Sequence, residues 1–171
     1  MFALWPLSVP ESAMLHQRAF RAAVVGLAVA SASPSFAQSV GSTSPKQVIS
    51  SPNAPAAIGP YSQAIRAWNM VFLAGQIAID PKSQQLMKDA SIEDQTRLVL
   101  ENLKAVLEAD GLTMDHVVST TVFMKDLNEF GKMNEVYATY FKTAPPARAT
   151  VEVARLPRDV KVEIAVITVR P

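Results

Sequence analysis

Two charged side chains in this sequence sit where their chemistry could be used. Arg148 follows Pro145-Pro-Ala147, so the backbone leading into it is stiff. A guanidinium held that way can grip a carboxylate through two parallel hydrogen bonds. The same residue type serves as a structural ion pair or a solvated arginine, and by residue type alone those roles are the more common. Glu163 lies between Val162 and Ile164. Apolar neighbours desolvate a carboxylate and raise its pKa, which suits it to proton transfer near neutrality. A salt bridge to Lys161 or to an arginine on a neighbouring strand is the simpler role open to it. Other routes to catalysis are closed or weak. The chain has no cysteine and only two histidines, His16 and His116. Thiol chemistry and disulfides are therefore excluded, and no metal site is expected, since no carboxylates cluster at ligand spacing. His116 adjoins an apolar strand start, where packing or surface exposure suits it better than general-base work. Gly-x-Ser-x-Gly, a phosphate-cradling glycine loop and His-Glu-x-x-His are all absent.

The elements that must position Arg148 and Glu163 can be read from periodicity. Val48-Ile49 forms a first short strand, followed by a Pro-rich loop through Ser51-Pro-Asn-Ala-Pro55 and Ile58-Gly-Pro60 to Tyr61. Residues 62–67 and 70–74 flank Trp68-Asn69 as a hairpin. A helix begins after Ser91, an N-cap with Asp94 three residues on. Val99, Leu100, Leu103, Val106 and Leu107 form its apolar face, and Gly111 stops it. Residues 117–124 are rich in β-branched side chains and form a strand. A second helix spans about 128–142, with Phe130, Met133, Tyr137, Tyr140 and Phe141 on its inner side. Strands 148–153 and 161–169 complete the order β-β-β-α-β-α-β-β. The expected fold is α/β (α+β): one mixed sheet with two helices packed on one face. The last strand adds a constraint. Val162, Ile164 and Val166 should face the helices, yet the opposite face carries Glu163, Ala165, Ile167 and Val169, which is mostly apolar too. A sheet apolar on both sides needs a second cover, and another copy of the chain would supply it.

The 171-residue chain is about one domain long, nearly half hydrophobic, with formal charge +1. Its start reads as a targeting segment, residues 1–37. Met14, the expected true start, opens a short basic stretch through Arg18 and Arg21. An apolar run over 22–32 and the small-x-small pattern Ser35-Phe-Ala37 follow. That run is shorter than the ~20 residues a membrane span requires, so cleavage after Ala37 is expected, with no span remaining. Removal takes away Glu11, Arg18 and Arg21 and leaves acidic and basic side chains in balance. A neutral chain has no basic stripe to draw it to nucleic acid. A bacterial-type signal implies a periplasmic or secreted protein. Residues 38–45 form a flexible lead-in, and 46–171 the folded domain.

Four stretches together carry a family resemblance. They are Ala54-Pro-Ala-Ala-Ile-Gly-Pro-Tyr-Ser-Gln-Ala64, Ala74-Gly-Gln-Ile-Ala-Ile-Asp-Pro81, residues 95–141, and Pro146-Ala-Arg-Ala-Thr-Val-Glu-Val-Ala-Arg-Leu-Pro157 with Val162-Glu-Ile164. From residue 46 onward the chain resembles the RidA (YjgF) family of imine and enamine deaminases. The resemblance implies a chorismate-mutase-like fold assembled as a homotrimer, with a site in each cleft between subunits. It implies hydrolysis of 2-aminoacrylate-type imines and enamines to 2-oxo acids and ammonia, without metal or organic cofactor. In that pattern Arg148 binds the substrate carboxylate and Glu163 positions or activates water. Tyr61 and Asn134 line the cleft, and the backbone at Gly75 approaches the substrate closely because no Cβ intervenes. Read without the family, Tyr61 is a partly buried core aromatic and Asn134 a polar residue at a helix edge. Three positions depart from the pattern: Ala74 replaces a common serine, Thr150 a cysteine of some members, and Ala165 a second glutamate. Alternatives remain: a non-catalytic module for small carboxylates such as 2-oxo acids, an endoribonuclease or translation inhibitor, and a chaperone-like surface.

Overall fold

The computed structural model describes residues 46–171. The expected signal (1–37) and lead-in (38–45) lie outside the described residues. Strands β1 (Gln47–Ile49), β2 (Ala64–Ala67), β3 (Met70–Gln76), β4 (Val117–Met124), β5 (Ala147–Glu152) and β6 (Val162–Val169) form one six-stranded sheet in the order β1-β2-β3-β6-β4-β5. Only β4 and β5 run parallel; every other neighbouring pair is antiparallel. Helices α1 (Ile92–Ala109) and α2 (Phe130–Tyr140) pack on one face, as the periodicity implied.

The α1 boundaries follow from local chemistry. The Ser91 hydroxyl oxygen accepts the Asp94 N–H at 3.1 Å, while the hydroxyl itself donates to the Asp94 carboxylate at 2.8 Å. The partnership is thus made through the hydroxyl rather than through the Ser91 backbone N–H that a full capping box would use. At the other end Gly111 takes φ 71°, a left-handed backbone that costs glycine little. Its N–H donates to the Glu108 carbonyl and that of Leu112 to the Leu107 carbonyl, the paired closure of a Schellman motif. Asp110, just before this turn, has a side chain only 6% exposed. It accepts from Arg170 at 2.9 Å and pairs with Arg66 at 3.3 Å, tying the helix end to β2 and to the C-terminus.

The core lies between the helices and the inner face of the sheet. Val162, Ile164 and Val166 of β6 are buried there with Val99, Leu100, Leu103, Met133 and Tyr137. Phe130 departs from the expected inner stripe of α2. It is 38% exposed, and Val136 is buried instead, because the helix starts at Phe130 after a separate 3-10 turn over Leu127–Glu129. Two buried amides fix the surrounding loops. Gln95 accepts the Lys161 N–H at 2.9 Å and donates to the Lys88 and Ala90 carbonyls, while Gln63 accepts the Ser51 N–H and donates to the Pro55 carbonyl. Fully bonded buried amides of this kind specify one arrangement, since a lost partner would leave an unsatisfied group.

The opposite face of the sheet carries no helix among the described residues. Ile65, Phe72 and Ile167 stand abreast across β2, β3 and β6, with Phe72 42% exposed. The expectation of a sheet apolar on both faces therefore holds.

Candidate functional site

Strand β3 does not pair evenly with β6. Leu73 faces Val166 but Gln76 faces Ile164, so Ala74 and Gly75 bulge out of the ladder. A bulge redirects the backbone beside it. Here it opens space for Glu163, which points away from the helices between Val162 and Ile164. A Cβ added at Gly75 would overlap the Glu163 Oε1 and come within 2.8 Å of Cδ and 3.0 Å of Cγ. Within the chain, the group that the missing Cβ of Gly75 admits is the glutamate side chain.

Glu163 opens into a groove of ≈ 350 Å³ with Tyr61, Ala74, Gly75, Ile58, Ile77 and Pro157. Burial is what pushes its carboxyl above the ordinary carboxylate range. The ion pair that residue type favoured is absent: Lys161 pairs with Glu129 at 3.4 Å, and among the described residues no cation lies within 4.0 Å of Glu163. Tyr61 is 46% exposed rather than a core aromatic, and its hydroxyl accepts the Ile58 N–H at 3.2 Å. Among the described residues no acceptor takes the phenol proton.

Arg148 lies on the other side of the sheet. It pairs in register with Thr120 of β4, and its guanidinium carbon sits 4.5 Å from the centre of the Tyr137 ring and 5.6 Å from that of Phe130. With Asn134, Tyr137, Phe141, Pro145 and Pro146 it lines a groove of ≈ 380 Å³. Among the described residues no carboxylate lies within 4.0 Å of it. Asn134 shares this groove one turn of α2 before Tyr137. The Tyr137 hydroxyl is hydrogen-bonded to Thr120 Oγ1 at 2.8 Å, and burial raises its pKa against the opposing pull of that bond and of Arg148.

One chain therefore brings the five expected residues together as two sets, Tyr61–Gly75–Glu163 and Asn134–Arg148, in separate grooves. The aromatic seat of Tyr137 and Phe130 was not among the expected site residues. Their spacing of seven on one helix signalled a common face, but not that an arginine from β5 would cover it. Of the departures from the family pattern, Ala74 removes a hydroxyl from the Glu163 groove, and the Thr150 hydroxyl is buried without a partner. His116 is structural: its Nδ1 accepts the Thr113 N–H at 3.1 Å. Among the described residues no group of acidic or histidine side chains could hold a metal ion, and no helix is long and apolar enough to cross a membrane.

A mixed sheet backed by two helices, with largely apolar grooves that each hold one charged side chain, Glu163 or Arg148, defines a class of small α+β domains. The chain belongs to the family described as Endoribonuclease L-PSP, which it matches over residues 51–170 and which includes the RidA and RutC proteins. It is 58% identical over 122 residues to a RutC family protein of Pyrococcus horikoshii, covering 71% of this chain and 96% of that one. It is 50% identical over 127 residues to the 2-iminobutanoate/2-iminopropanoate deaminase of Salmonella typhimurium, covering 72% of this chain and 98% of the relative. The crystal structure of E. coli TdcF with bound serine superposes with a TM-score of 0.70 at 45% identity, covering 74% of this chain and all of that one.

Proposed function

We propose that the protein hydrolyses small imino and enamino acids of the 2-aminoacrylate type to 2-oxo acids and ammonia, in clefts formed where copies of the chain meet. The observation that carries this reading is that neither Arg148 nor Glu163 is spent on an ion pair among the described residues. Burial of an unpaired charge is costly, so charges left open in grooves are best explained by a ligand or substrate. The named activity of the Salmonella relative and the serine held by E. coli TdcF point to the same chemistry.

The reaction follows from the groups available. Arg148 grips the substrate carboxylate and fixes the imine carbon. Glu163 takes a proton from water as its oxygen bonds to that carbon. Glu163 returns that proton to the imine nitrogen to give the carbinolamine. It then relays the carbinol O–H proton to the same nitrogen as the C–N bond breaks and the C=O bond forms, so that water and imine leave as oxo acid and ammonia. Tyr61 donates a hydrogen bond to the substrate, and Asn134 borders the carboxylate end. These imines already hydrolyse in water, and general acid–base help of about 10²–10⁴-fold suffices. Both grooves must meet for this, and a homotrimer closed over the uncovered face bearing Ile65, Phe72 and Ile167 would join them. The basic stretch, apolar run and small-x-small pattern over residues 14–37 support a periplasmic or secreted site of action.

An imino acid generated in situ by an amino-acid oxidase tests the reading, with semicarbazide trapping to follow its loss. Wild type should accelerate the loss and Arg148→Ala should not. Identical traces for the two would refute deamination. A second reading, binding of 2-oxo acids without turnover, is favoured by Ala74, which leaves the Glu163 groove one hydroxyl poorer. Titration calorimetry with 2-oxobutyrate, giving heat but no catalysis, would select it.

A further inference from the structure

Arg148 has no carboxylate to hold it among the described residues, yet a long flexible side chain must be held to act as a clamp. We infer that Tyr137, assisted by Phe130, is the positioning residue for Arg148, an aromatic seat that orients the guanidinium without a carboxylate partner. The inference rests on the reading of Arg148 as the carboxylate clamp.

Three contacts close a loop around the ring. The Arg148 guanidinium carbon lies 4.5 Å from the Tyr137 centroid, well inside the distance at which a cation is attracted to a ring face. The Tyr137 hydroxyl is joined to Thr120 Oγ1 at 2.8 Å, and Thr120 is the residue facing Arg148 across the β4–β5 ladder. Strand, ring and guanidinium thereby fix one another. Phe141 packs against Tyr137 with centroids 4.5 Å apart and restrains the ring further. Phe130 lies two helical turns earlier on the same face of α2, 5.6 Å from the guanidinium carbon.

The physical advantage over a salt bridge is specific. A carboxylate partner would occupy the N–H fork that must bind substrate, and would neutralise the charge that attracts it. A ring face meets the guanidinium through its π surface and leaves its charge unneutralised. Pro145 and Pro146 stiffen the strand entry, so the backbone and the side chain of Arg148 are each held.

The test compares Tyr137→Leu, Tyr137→Phe and Phe130→Leu in the full-length protein, with 2-oxobutyrate affinity by calorimetry and the KM and kcat of imine hydrolysis as readouts. Loss of the seat should weaken 2-oxobutyrate binding and raise KM by about tenfold in Tyr137→Leu, with kcat changing much less. Tyr137→Phe keeps the ring and should recover most of the loss. Phe130→Leu, at the longer contact, should raise KM by roughly twofold to threefold. A folded Tyr137→Leu protein with wild-type KM and affinity would overturn the inference, and so would Tyr137→Phe failing as badly as Tyr137→Leu. If Tyr137→Leu does not fold, an unchanged KM in the more exposed Phe130→Leu overturns it. A wild-type protein that neither binds 2-oxobutyrate nor hydrolyses imines would instead refute the clamp reading itself.

Discussion

Gly75→Ala separates what holds the protein together from what makes it act. Gly75 is not among the residues with a left-handed backbone, so alanine meets no strain there. Relief of unfolded-chain entropy alone would favour the substitution by about 0.4–1 kcal/mol. Against this, the new methyl overlaps the Glu163 Oε1 and stands 2.8 Å from Cδ. The nearest obstructing atoms are the far end of a side chain that borders an open groove, so the carboxylate can swing aside. Stability should therefore change by less than about 1 kcal/mol, small beside the 1–3 kcal/mol of overpacking in a closed core. Catalysis has no such escape, since displacing a reacting group by about 1 Å costs on the order of 100-fold. The assay is semicarbazide-trapping kinetics beside thermal unfolding of the same preparation. The expected result is an unchanged Tm with kcat reduced about 100-fold. Adding Gly75→Ala to a Glu163→Gln protein should then cost little further activity. A Gly75→Ala enzyme within threefold of wild type would refute the role given to this contact, as would a fully additive double variant.

Other expectations follow from the same geometry. Burial raises the Glu163 pKa, so the rate should fall as pH drops through a value above the ordinary carboxylate range, and the Glu163→Gln pH profile should lack that limb. The stability sign is opposite. A folded-state pKa above the unfolded one favours folding below the unfolded pKa, and that contribution is lost as pH rises through the folded value. Glu163→Gln should therefore raise Tm at neutral pH, and the gain should vanish in acid. Asp110→Asn weakens two arginine contacts at a side chain only 6% exposed, and denaturant unfolding should register a loss of about 2 kcal/mol. Phe72→Asp charges the uncovered sheet face, and gel filtration should show a folded monomer without deaminase activity.

Much of this fold was legible in the residues because its signals are local. Ser91, the apolar stripe of α1 and Gly111 determine that helix within a few residues. Alternation in β6 marked both its buried row and its uncovered one. Less legible were features that depend on partners distant in sequence. The β3 bulge arises from pairing with β6, so nothing near Gly75 announces it. Strand β3 was accordingly expected to end at Ala74, whereas it runs to Gln76. Phe130 satisfies helical spacing with Met133 and Tyr137, yet it stands at the first residue of α2 and the guanidinium beside it belongs to Arg148 on another element. Expecting Arg148 and Glu163 to share a cleft required the family resemblance, because the sheet separates them within a chain. Their freedom from ion pairs could not be foreseen either, since Lys161 had an equal claim on Glu163 until Glu129 took it.

Placing Arg148 and Glu163 on opposite faces of one sheet has a consequence for genetics and for dosage. If clefts join the Arg148 groove of one copy to the Glu163 groove of another, no chain owns an active site. Activity per chain would then decline on dilution below the assembly constant, even with every molecule folded. Two inactive chains, one lacking Arg148 and one lacking Glu163, would restore function on mixing. A mixed ring must contain a boundary at which an intact arginine faces an intact glutamate. The reverse pairing at the other boundary would be doubly defective. A single crippled copy among sound ones would silence one cleft and leave the rest working, so defects would be shared out rather than dominant.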